Sequence, residues 1–321
     1  MTLSPEKGVT KSDLDKLENK YDVAAAHAQD SQKILNDRID QAVISSGVAG
    51  AHSYISAQDL GGSGTGAATV NAANIANMFA VAARKLTRRS IPESGRFALI
   101  GPRLLETLRV SVAGRETGFG DTVGDNGIIS NRFGFGLYLS NNIPFTCVVT
   151  SNAVGVAGEY FTIDGVRFTF VANGTAAAAG EISIGTNEAE TMANVVLAIN
   201  GTGTPGVSTY IEVSADNREI LRNGAILASF LTHTLTITGY GDTAVTEAAS
   251  NLVVTSNIQK PLFGMKGATD LLLRKAPNVE FRVPEYLLGK RVYVWTNFGV
   301  KTFTQMKKAL VYASVDTSSW L

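Results

Sequence analysis

Two stretches in the first half of the chain decide its fold: IPESGRFALIGPRLLETL, residues 91–108, and NGIISNRFGFGLYLSNNIP, residues 126–144. The first contains the wholly apolar run FALI at 97–100, which is typical of a strand covered on both faces. Pro102 comes next, and the following residues predict a helix that extends to Val110. This part of the chain is therefore predicted to alternate strand and helix around one core.

The residues before this strand predict the strongest helix of the chain. Apolar side chains recur there at spacings of three and four over 70–90, and Pro92 ends the pattern. A stripe of this kind usually faces a core, so we assign its members to packing and not to a cofactor site: Ile75, Met78, Phe79, Ala82 and Leu86.

The N-terminal part predicts a second helical region. Apolar residues recur at helical spacing over 12–45, with a break near Asp30, and Ser12 and Asp15 have the spacing of an N-cap and its reciprocal partner. From 45 to 68 glycine and serine dominate, which predicts a flexible loop.

The run GGSGTG at 61–66 has the glycine spacing of a phosphate-binding loop. Ala67 and Ala68 stand where that loop needs a lysine and a hydroxyl side chain. We therefore interpret it as a linker and not as a nucleotide site.

Residues 155–250 have a different, β-rich pattern. The pair Asp164-Gly165 lies between two alternating runs, 160–163 and 166–171, and predicts a hairpin. A helix that ends at Gly201 and strands at 210–213 and 235–237 follow, which predicts a small α+β module.

After this module, VEFRVPE at 279–285 predicts a strand and the residues from 291 predict a closing β-hairpin that turns at 297–299. The last part of the chain thus returns to the pattern seen before the module.

Charge is balanced over the chain, with 28 basic and 28 acidic residues, but it is unevenly distributed. Residues 84–109 carry a net charge of +5, residues 151–255 of −7 and residues 256–321 of +6. An acidic block between two basic ones fits an inserted domain that points away from a basic body. Ordinary solvated faces with a chance bias are the alternative interpretation.

The residues that usually carry enzyme chemistry are sparse. The single cysteine, Cys147, is predicted to be a small buried hydrophobic residue on a strand. The three histidines, His27, His52 and His233, are isolated and fit no metal-binding or catalytic spacing. We therefore expect no enzyme activity, no cofactor and no metal. A polar N-terminus without a signal-peptide core, and no apolar run of eighteen residues, predict a soluble protein made in the cytosol.

The order of these motifs resembles the major capsid proteins of tailed bacteriophages with the Hong Kong 97-like fold. In that family a long helix ends at a proline, a Gly-Arg strand and a second helix follow, and a Gly-rich segment then ends in Ser-Asn-Asn-apolar-Pro. The last segment is matched here by Gly127, Ile128, Ile129, Arg132, Gly134, Phe135, Ser140, Asn141, Asn142, Ile143 and Pro144. A later family segment is matched by Lys266, Ala268, Asp270, Leu271, Arg291, Val292 and Gly299. The resemblance covers roughly 70–150 and 255–315.

The resemblance implies an α+β capsid fold with a spine helix at 70–90, axial and peripheral domains, and an inserted β-rich domain. We expect an N-terminal helical arm and Gly-rich loop at 1–68, a first peripheral and axial part at 69–152, the insertion at 153–252 and the return at 253–321.

The family also has an extended hairpin, the E-loop, and an N-terminal arm before the spine helix. In this chain either that hairpin is reduced to the Gly-rich loop or residues upstream of Met1 are missing.

The implied function is a structural subunit that forms the hexamers and pentamers of an icosahedral phage head around double-stranded DNA. The subunit would be made in the host cytoplasm and end in the virion, with scaffolding, portal and decoration proteins as partners and no membrane contact. A phage surface or tail-associated adhesin that uses 155–250 for recognition is the alternative. A third interpretation is a cytosolic enzyme with a lid domain.

On the capsid hypothesis, the basic segments either pair with acidic groups of neighbouring subunits or face packaged DNA without sequence preference. The balanced total charge favours the first. The candidate residues for subunit interfaces or DNA contact are Arg84, Arg88, Arg89, Arg103, Arg132, Lys266, Arg274 and Lys275.

Overall fold

The structure is a computed structural model that describes residues 23–113, 131–282 and 291–317. In these ranges the α-helices are α1 (Val23–Gly50), α2 (Ile75–Thr87), α3 (Pro102–Ala113), α4 (Glu188–Asn200) and α5 (Ala215–Asn223). Short 3-10 helices lie at Gln58–Leu60 and Thr304–Ala309. None of the helices in the described ranges combines the length and the apolar character that a membrane crossing requires.

The strands of the described residues fall into a first group before the β-rich module, a second group within it and a third group after it. The first group is β1 (Ser53–Ile55), β2 (Ala68–Thr69), β3 (Arg96–Ile100), β4 (Asn131–Arg132), β5 (Phe135–Leu139) and β6 (Pro144–Ser151). The second is β7 (Tyr160–Ile163), β8 (Val166–Val171), β9 (Glu181–Ser183), β10 (Leu227–Leu231), β11 (Thr234–Tyr240) and β12 (Val245–Ala248). The third is β13 (Leu252–Gln259), β14 (Leu262–Met265), β15 (Thr269–Arg282), β16 (Arg291–Thr302), β17 (Leu310–Ala313) and β18 (Val315–Asp316).

The chain divides into two compact units. The helix–hairpin unit consists of Met1–Gly50 and Gly267–Lys307, and the sheet unit consists of Ala51–Lys266 and Lys308–Leu321. Each unit is therefore built from two separate parts of the sequence.

A six-stranded sheet in the order β1-β17-β14-β3-β5-β4 forms the first layer of the sheet unit. The apolar strand β3 lies inside it, antiparallel to β14 and parallel to β5. Helix α2 contributes its whole predicted stripe to the core, because all five stripe residues are fully buried. Phe79 of this stripe packs against Phe135 and Phe263, with ring centroids 6.2 and 5.4 Å away.

A second sheet, β10-β11-β6-β13-β18-β2, and a third, β12-β7-β8-β9, share a further core in the same unit. Phe145, Cys147 and Val149 from β6 lie in one apolar cluster with residues of β7, β8 and α4. The packing of the β-rich module is therefore continuous with strand β6. The proposed boundaries of an insertion at 153 and 252 stay a prediction.

Local signals within the module predicted the β7–β8 hairpin and helix α4. Asp164 and Gly165 form the turn between β7 and β8, and both have positive φ angles, 51° and 79°, as the predicted hairpin turn requires. Helix α4 begins after Asn187, whose side chain accepts the Glu190 N–H, and ends at Gly201 with φ 61°.

In the helix–hairpin unit, strands β15 and β16 form an antiparallel hairpin with paired residues from Thr269↔Thr302 to Arg282↔Arg291. Helix α1 covers one face of it, where Leu35 packs with Val279 and Val294. The Thr302 hydroxyl donates to the Ser46 carbonyl at 2.8 Å. Strand β15 has 14 residues and extends about 48 Å, so this is a long hairpin.

Three predictions about the first 90 residues need correction. Helix α1 continues through Asp30 to Gly50, and β1 follows it, so the predicted loop from 45 is wrong at its start. The second correction concerns the flexibility predicted for this loop. Residues 57–66 form a turn that is closed by hydrogen bonds from the Ala57 N–H to the Gly66 carbonyl, 2.9 Å, and from the Gln58 N–H to the Gly64 carbonyl, 3.0 Å. Residues 12–22 of the predicted helix lie outside the described residues.

The third correction concerns the length of the helix predicted at 70–90. It has only the 13 residues of α2, whereas α1 has 28 residues and is about 42 Å long. The apolar stripe located the packed face of α2 but not the longest helix.

Two predictions in the second half are also wrong. Residues 297–299 lie within β16 and not in a turn, because backbone pairing with β15 extends over the whole segment. The predicted strand at 210–213 is reduced to a single bridge between Tyr210 and Ile182. The backbone of 209–211 instead bonds to Glu181 and its neighbours as an irregular segment.

Cys147 supplies a test of the sheet-unit core. Burial, with a smaller contribution from the charge of Glu247, raises the pKa of its thiol to about 12. We expect a thiol reagent at pH 8 to leave the native protein unmodified and to modify one thiol per chain after unfolding in denaturant. Complete modification of the folded protein within minutes would contradict this packing.

Candidate assembly surface

The predicted basic residues of α2 cluster at its C-terminal end. The Arg84 side chain is 59% exposed, and its guanidinium lies 3.6 Å from Asp59. Arg88 is exposed as well, and Arg89 donates to the Lys308 carbonyl at 3.4 Å. Burial and the neighbouring Arg88 charge lower the pKa of Arg89. These three side chains give one end of the helix a positive surface.

Lys85, which the sequence did not single out, is the residue of this helix with the best-defined ion pair. Its ammonium donates to Asp59 at 2.8 Å and to the Tyr54 carbonyl at 2.9 Å. Burial raises the pKa of Asp59, but hydrogen bonds from Lys85 and Ser56 and the Lys85 charge outweigh it, so the pKa is lowered overall. This pair connects α2 to the 3-10 helix at Gln58–Leu60, directly before the run GGSGTG at 61–66.

Arg103 is also engaged within the sheet unit. Its guanidinium lies 2.9 Å from the Asp242 carboxylate, which further accepts a hydrogen bond from the Gln259 amide at 2.9 Å. Burial raises the pKa of Asp242, and the opposing effects of Arg103 and Gln259 do not cancel it. The structure thus gives Arg103 an internal partner, while its predicted interface role stays a prediction.

Lys266 and Arg132 lie elsewhere on the sheet unit. The Lys266 ammonium is 5.4 Å from the centre of the Tyr138 ring, at the edge of a depression that Glu93 and Arg96 also line. Arg132 is the last residue of β4, and its side chain is outside the described part of the structure.

The two remaining candidates, Arg274 and Lys275, lie on strand β15 of the helix–hairpin unit. Both are exposed, and the Lys275 ammonium stands 4.5 Å from the centre of the Trp295 ring. The eight candidates are therefore brought together only in part: three at or just after the C-terminal end of α2, two on β15, and the others singly.

The sequence prediction missed the apolar part of this hairpin. Leu271, Leu272 and Leu273 are 36, 73 and 46% exposed. A run of three leucines within a strand should have signalled it, because consecutive strand residues point to opposite faces and a two-stranded hairpin with one face covered must expose one of them.

His52 and His233, the two histidines whose side chains are described, take part in no group that could hold a metal ion. His233 lies on the exposed turn between β10 and β11, with its Nδ1 2.7 Å from Glu188, and His52 is exposed near β1. The His27 side chain is outside the described part. Over 23–113, 131–282 and 291–317, His, Cys, Asp and Glu side chains form no group of three or more that could hold a metal ion.

Comparisons with known proteins give information on the fold. The sequence matches no family model and no curated protein. A solved structure from Mycobacterium phage Che8 matches with a TM-score of 0.52 and 12% identity, over 98% of this chain and 70% of that chain. The chain has the Hong Kong 97-like capsid fold. The α+β class and the resemblance to phage capsid proteins are thus confirmed at the level of the fold.

Two further solved structures were found with lower scores. The capsid structure of the cyanophage P-SCSP1u has a TM-score of 0.48 and 13% identity, over 98% of this chain and 72% of that chain. The mature capsid of bacteriophage PhiM1 gives 0.45 and 12%, over 98% and 71%.

The ion pair of Lys85 with Asp59 predicts a pH-dependent stability of this capsid-fold subunit. The lowered pKa of Asp59 means that its contribution is present above the ordinary pKa, 3.8, and is lost as the pH falls through the lower folded-state value. We expect Lys85→Gln to lower the free energy of unfolding by about 1 kcal/mol at pH 7 and less at a pH well below 3.8. Denaturant unfolding at several pH values measures this.

Arg84→Gln is the matched control, because Arg84 is more exposed and farther from the same carboxylate. Its effect should be smaller at every pH. A loss in Lys85→Gln that does not change with pH would show that the carboxylate of Asp59 is not its cause.

Proposed function

We propose that this chain is the major capsid protein of a tailed bacteriophage, a structural subunit that assembles into the hexamers and pentamers of an icosahedral head around double-stranded DNA. The observation that carries the proposal is the Hong Kong 97-like fold, which extends over 98% of the chain in the match to the Mycobacterium phage Che8 structure. On this proposal the chain acts through its interfaces and not through catalysis, and its place is the virion.

The two compact units support an assignment of the capsid domains. We assign the peripheral domain to the helix–hairpin unit, in which α1 is the long helix of the fold, and the axial domain to the sheet unit. From the sequence, the spine helix of the fold was predicted at 70–90. Because α2 packs its whole stripe into the sheet unit, it suits the role of a core helix better.

The uneven charge suggests how copies attract each other. Residues 151–255 carry a net charge of −7, whereas the three arginines at the end of α2 and the pair on β15 are basic. We propose that the basic groups bind acidic groups of neighbouring subunits, since a chain with no net charge has little general attraction for DNA. The acidic module would project outward, where a decoration protein could bind it.

The direct test of the proposed function is electron microscopy with sedimentation of the purified full chain, alone and together with the products of neighbouring genes. Closed shells, or rings of five and six subunits, are the expected result. A chain that stays monomeric or trimeric under all conditions would overturn the proposal and favour a binding module instead.

The charge proposal predicts that Arg84→Glu, Arg88→Glu and Arg89→Glu together reduce the yield of assembled particles severalfold at low salt. The reason is that three attractive contacts per subunit become repulsive, and the effect should shrink at high ionic strength, where exposed charges are screened. Sedimentation of assembly reactions at several salt concentrations measures it.

The matched control replaces the same three arginines by lysine, which keeps the charge. This variant should assemble like the unmodified chain. An unchanged yield and salt dependence in the glutamate variant, with an unchanged unfolding midpoint, would remove these residues from the interface.

A further inference from the structure

Arg96 is a buried charge that has no acidic partner in the described part of the chain. It is the first residue of β3 and is only 4% exposed. Its Nε donates to the Pro92 carbonyl at 2.9 Å, and its Nη2 donates to the Thr87 hydroxyl at 3.0 Å and to the Ile91 carbonyl at 2.5 Å. These three acceptors are uncharged. A buried charge is normally paired with an opposite one, so the positive charge of this guanidinium still lacks its counterpart.

The same arginine lines the depression at which Lys266 and Tyr138 lie. This depression belongs to the sheet unit and has a volume of about 460 Å³. The hydrogen bonds of Arg96 leave its Nη1 atom without a partner among the described residues. Lys266 and Tyr138 are both exposed, and within the same residues the Lys266 ammonium and the Tyr138 hydroxyl make no hydrogen bond or ion pair. Three donors, two of them charged, therefore border one open space.

The charges of the depression fit a carboxylate. Guanidinium and ammonium groups form their strongest hydrogen bonds with charged oxygen acceptors. The depression is lined by two basic residues, Arg96 and Lys266, and one acidic residue, Glu93, so its net charge is +1. A single carboxylate neutralises this charge. A polyanion such as DNA would bring several phosphates close to Glu93 and would be repelled by it.

The acidic module has few carboxylates that are free to bind a neighbour. Most of them form hydrogen bonds or ion pairs within the chain: Glu159, Glu181, Glu188, Glu190, Glu212 and Asp242. Asp164 is exposed, and its carboxylate has no such bond within the described ranges. It lies in the two-residue turn between β7 and β8, where a Cβ atom placed on Gly165 would meet no heavy atom within 4 Å. The exposed Asp216 and Glu247 lie in a helix and a strand, so Asp164 is the carboxylate that projects.

The depression and the Asp164 turn lie at opposite ends of strand β3. Arg96 is the first residue of this strand. Beyond its last residue, Arg103 in the first turn of α3 pairs with Asp242, and the nearby Ala244 carbonyl accepts the Asp164 N–H at 2.8 Å. Strand β3 has five residues and is about 16 Å long. The carboxylate that fits the depression therefore has to come from another copy of the chain.

We propose that the depression binds the Asp164 carboxylate of a neighbouring copy of this chain, with Arg96, Lys266 and Tyr138 as the donors. Because the two surfaces differ and lie at opposite ends of β3, the contact is head to tail. Successive contacts of this kind, related by one rotation, close into a ring around the rotation axis. The inference rests on the proposed function and names one contact between adjacent subunits of its rings of five and six.

The position of the Asp164 turn suits such a lateral contact. Its backbone bond to Ala244 places it near Asp242, which binds Arg103 at the start of α3. The turn thus lies where the module joins the rest of the sheet unit. A module that projects outward from the shell still leaves this turn at the height of the neighbouring subunit.

A charge exchange within one chain tests the contact. Lys266→Asp changes the net charge of the depression from +1 to −1, and Asp164→Lys reverses the charge of its occupant, so each change alone makes the contact repulsive. The chain with both changes has opposite charges again. We expect each single variant to form about tenfold fewer sedimenting rings or shells at low salt, and the double variant to recover most of this loss.

Two further variants control this experiment. Asp216→Lys introduces a lysine at another exposed site of the module and should not restore the assembly of Lys266→Asp. Asp164→Asn removes the charge and keeps the turn, since Asn-Gly is favoured there, so it should lose assembly with an unchanged unfolding midpoint. Normal assembly of Asp164→Asn, or a double variant that assembles no better than Lys266→Asp, would overturn the proposed contact.

Carbodiimide coupling gives the geometry in the unmodified chain. The reagent activates a carboxylate, and an amine in direct contact displaces the urea to form an amide. In a mixture of unlabelled and nitrogen-15-labelled chains, mass spectrometry should find Lys266 joined to Asp164 with one partner labelled and the other not. The Asp164→Asn chain should lack this product. Its absence from the unmodified mixture, or products without mixed labelling, would contradict a contact between copies.

The two proposals fail in different ways. If the unmodified chain forms shells but the charge exchange does not restore assembly, the proposed function stands and the contact is wrong. If the mixed Lys266–Asp164 product forms but no shell or ring appears, the contact stands and the capsid role is wrong.

Discussion

The sheet unit depends on the packing of Phe79 between Phe135 and Phe263. These rings come from α2, β5 and β14, which lie far apart in the sequence, and their edge-to-face contacts have centroid distances of 5.4 to 6.2 Å. The cluster fixes the helix on the sheet in which β3 is an inner strand. Strand β17 follows the hairpin and pairs with β14 in this sheet, so the sheet also requires the chain to return after the helix–hairpin unit.

That return explains how one subunit contains two kinds of surface. The sheet unit buries most of its apolar side chains and keeps internal partners for Arg103 and Lys85. The helix–hairpin unit has one helix over a two-stranded sheet, and its hairpin carries exposed apolar side chains such as Leu272. A two-stranded hairpin is only marginally stable by itself, so the packing of α1 on one of its faces contributes to its stability.

The sequence predicted those features whose signals are local. The stripe of α2, the apolar strand β3 and the Asp164-Gly165 turn were all recognised, because periodicity and turn chemistry act over a few residues. The candidate basic residues were found by charge alone, which gives position along the chain but not proximity. Lys85 was overlooked because its partner Asp59 is 26 residues away and is brought near only by the fold.

The amino-acid sequence by itself determined the α+β class, the order of the capsid motifs, the burial of Cys147 and the hairpin of the β-rich module. The tertiary structure decided the length of α1, the extended pairing of β15 with β16, and the exposure of Leu272 beside Gly299. The letters Asn-Phe-Gly at 297–299 indicate a turn locally, but a partner strand that supplies backbone hydrogen bonds over many residues outweighs that preference. Pairing between distant segments therefore made the decisions that local propensity could not.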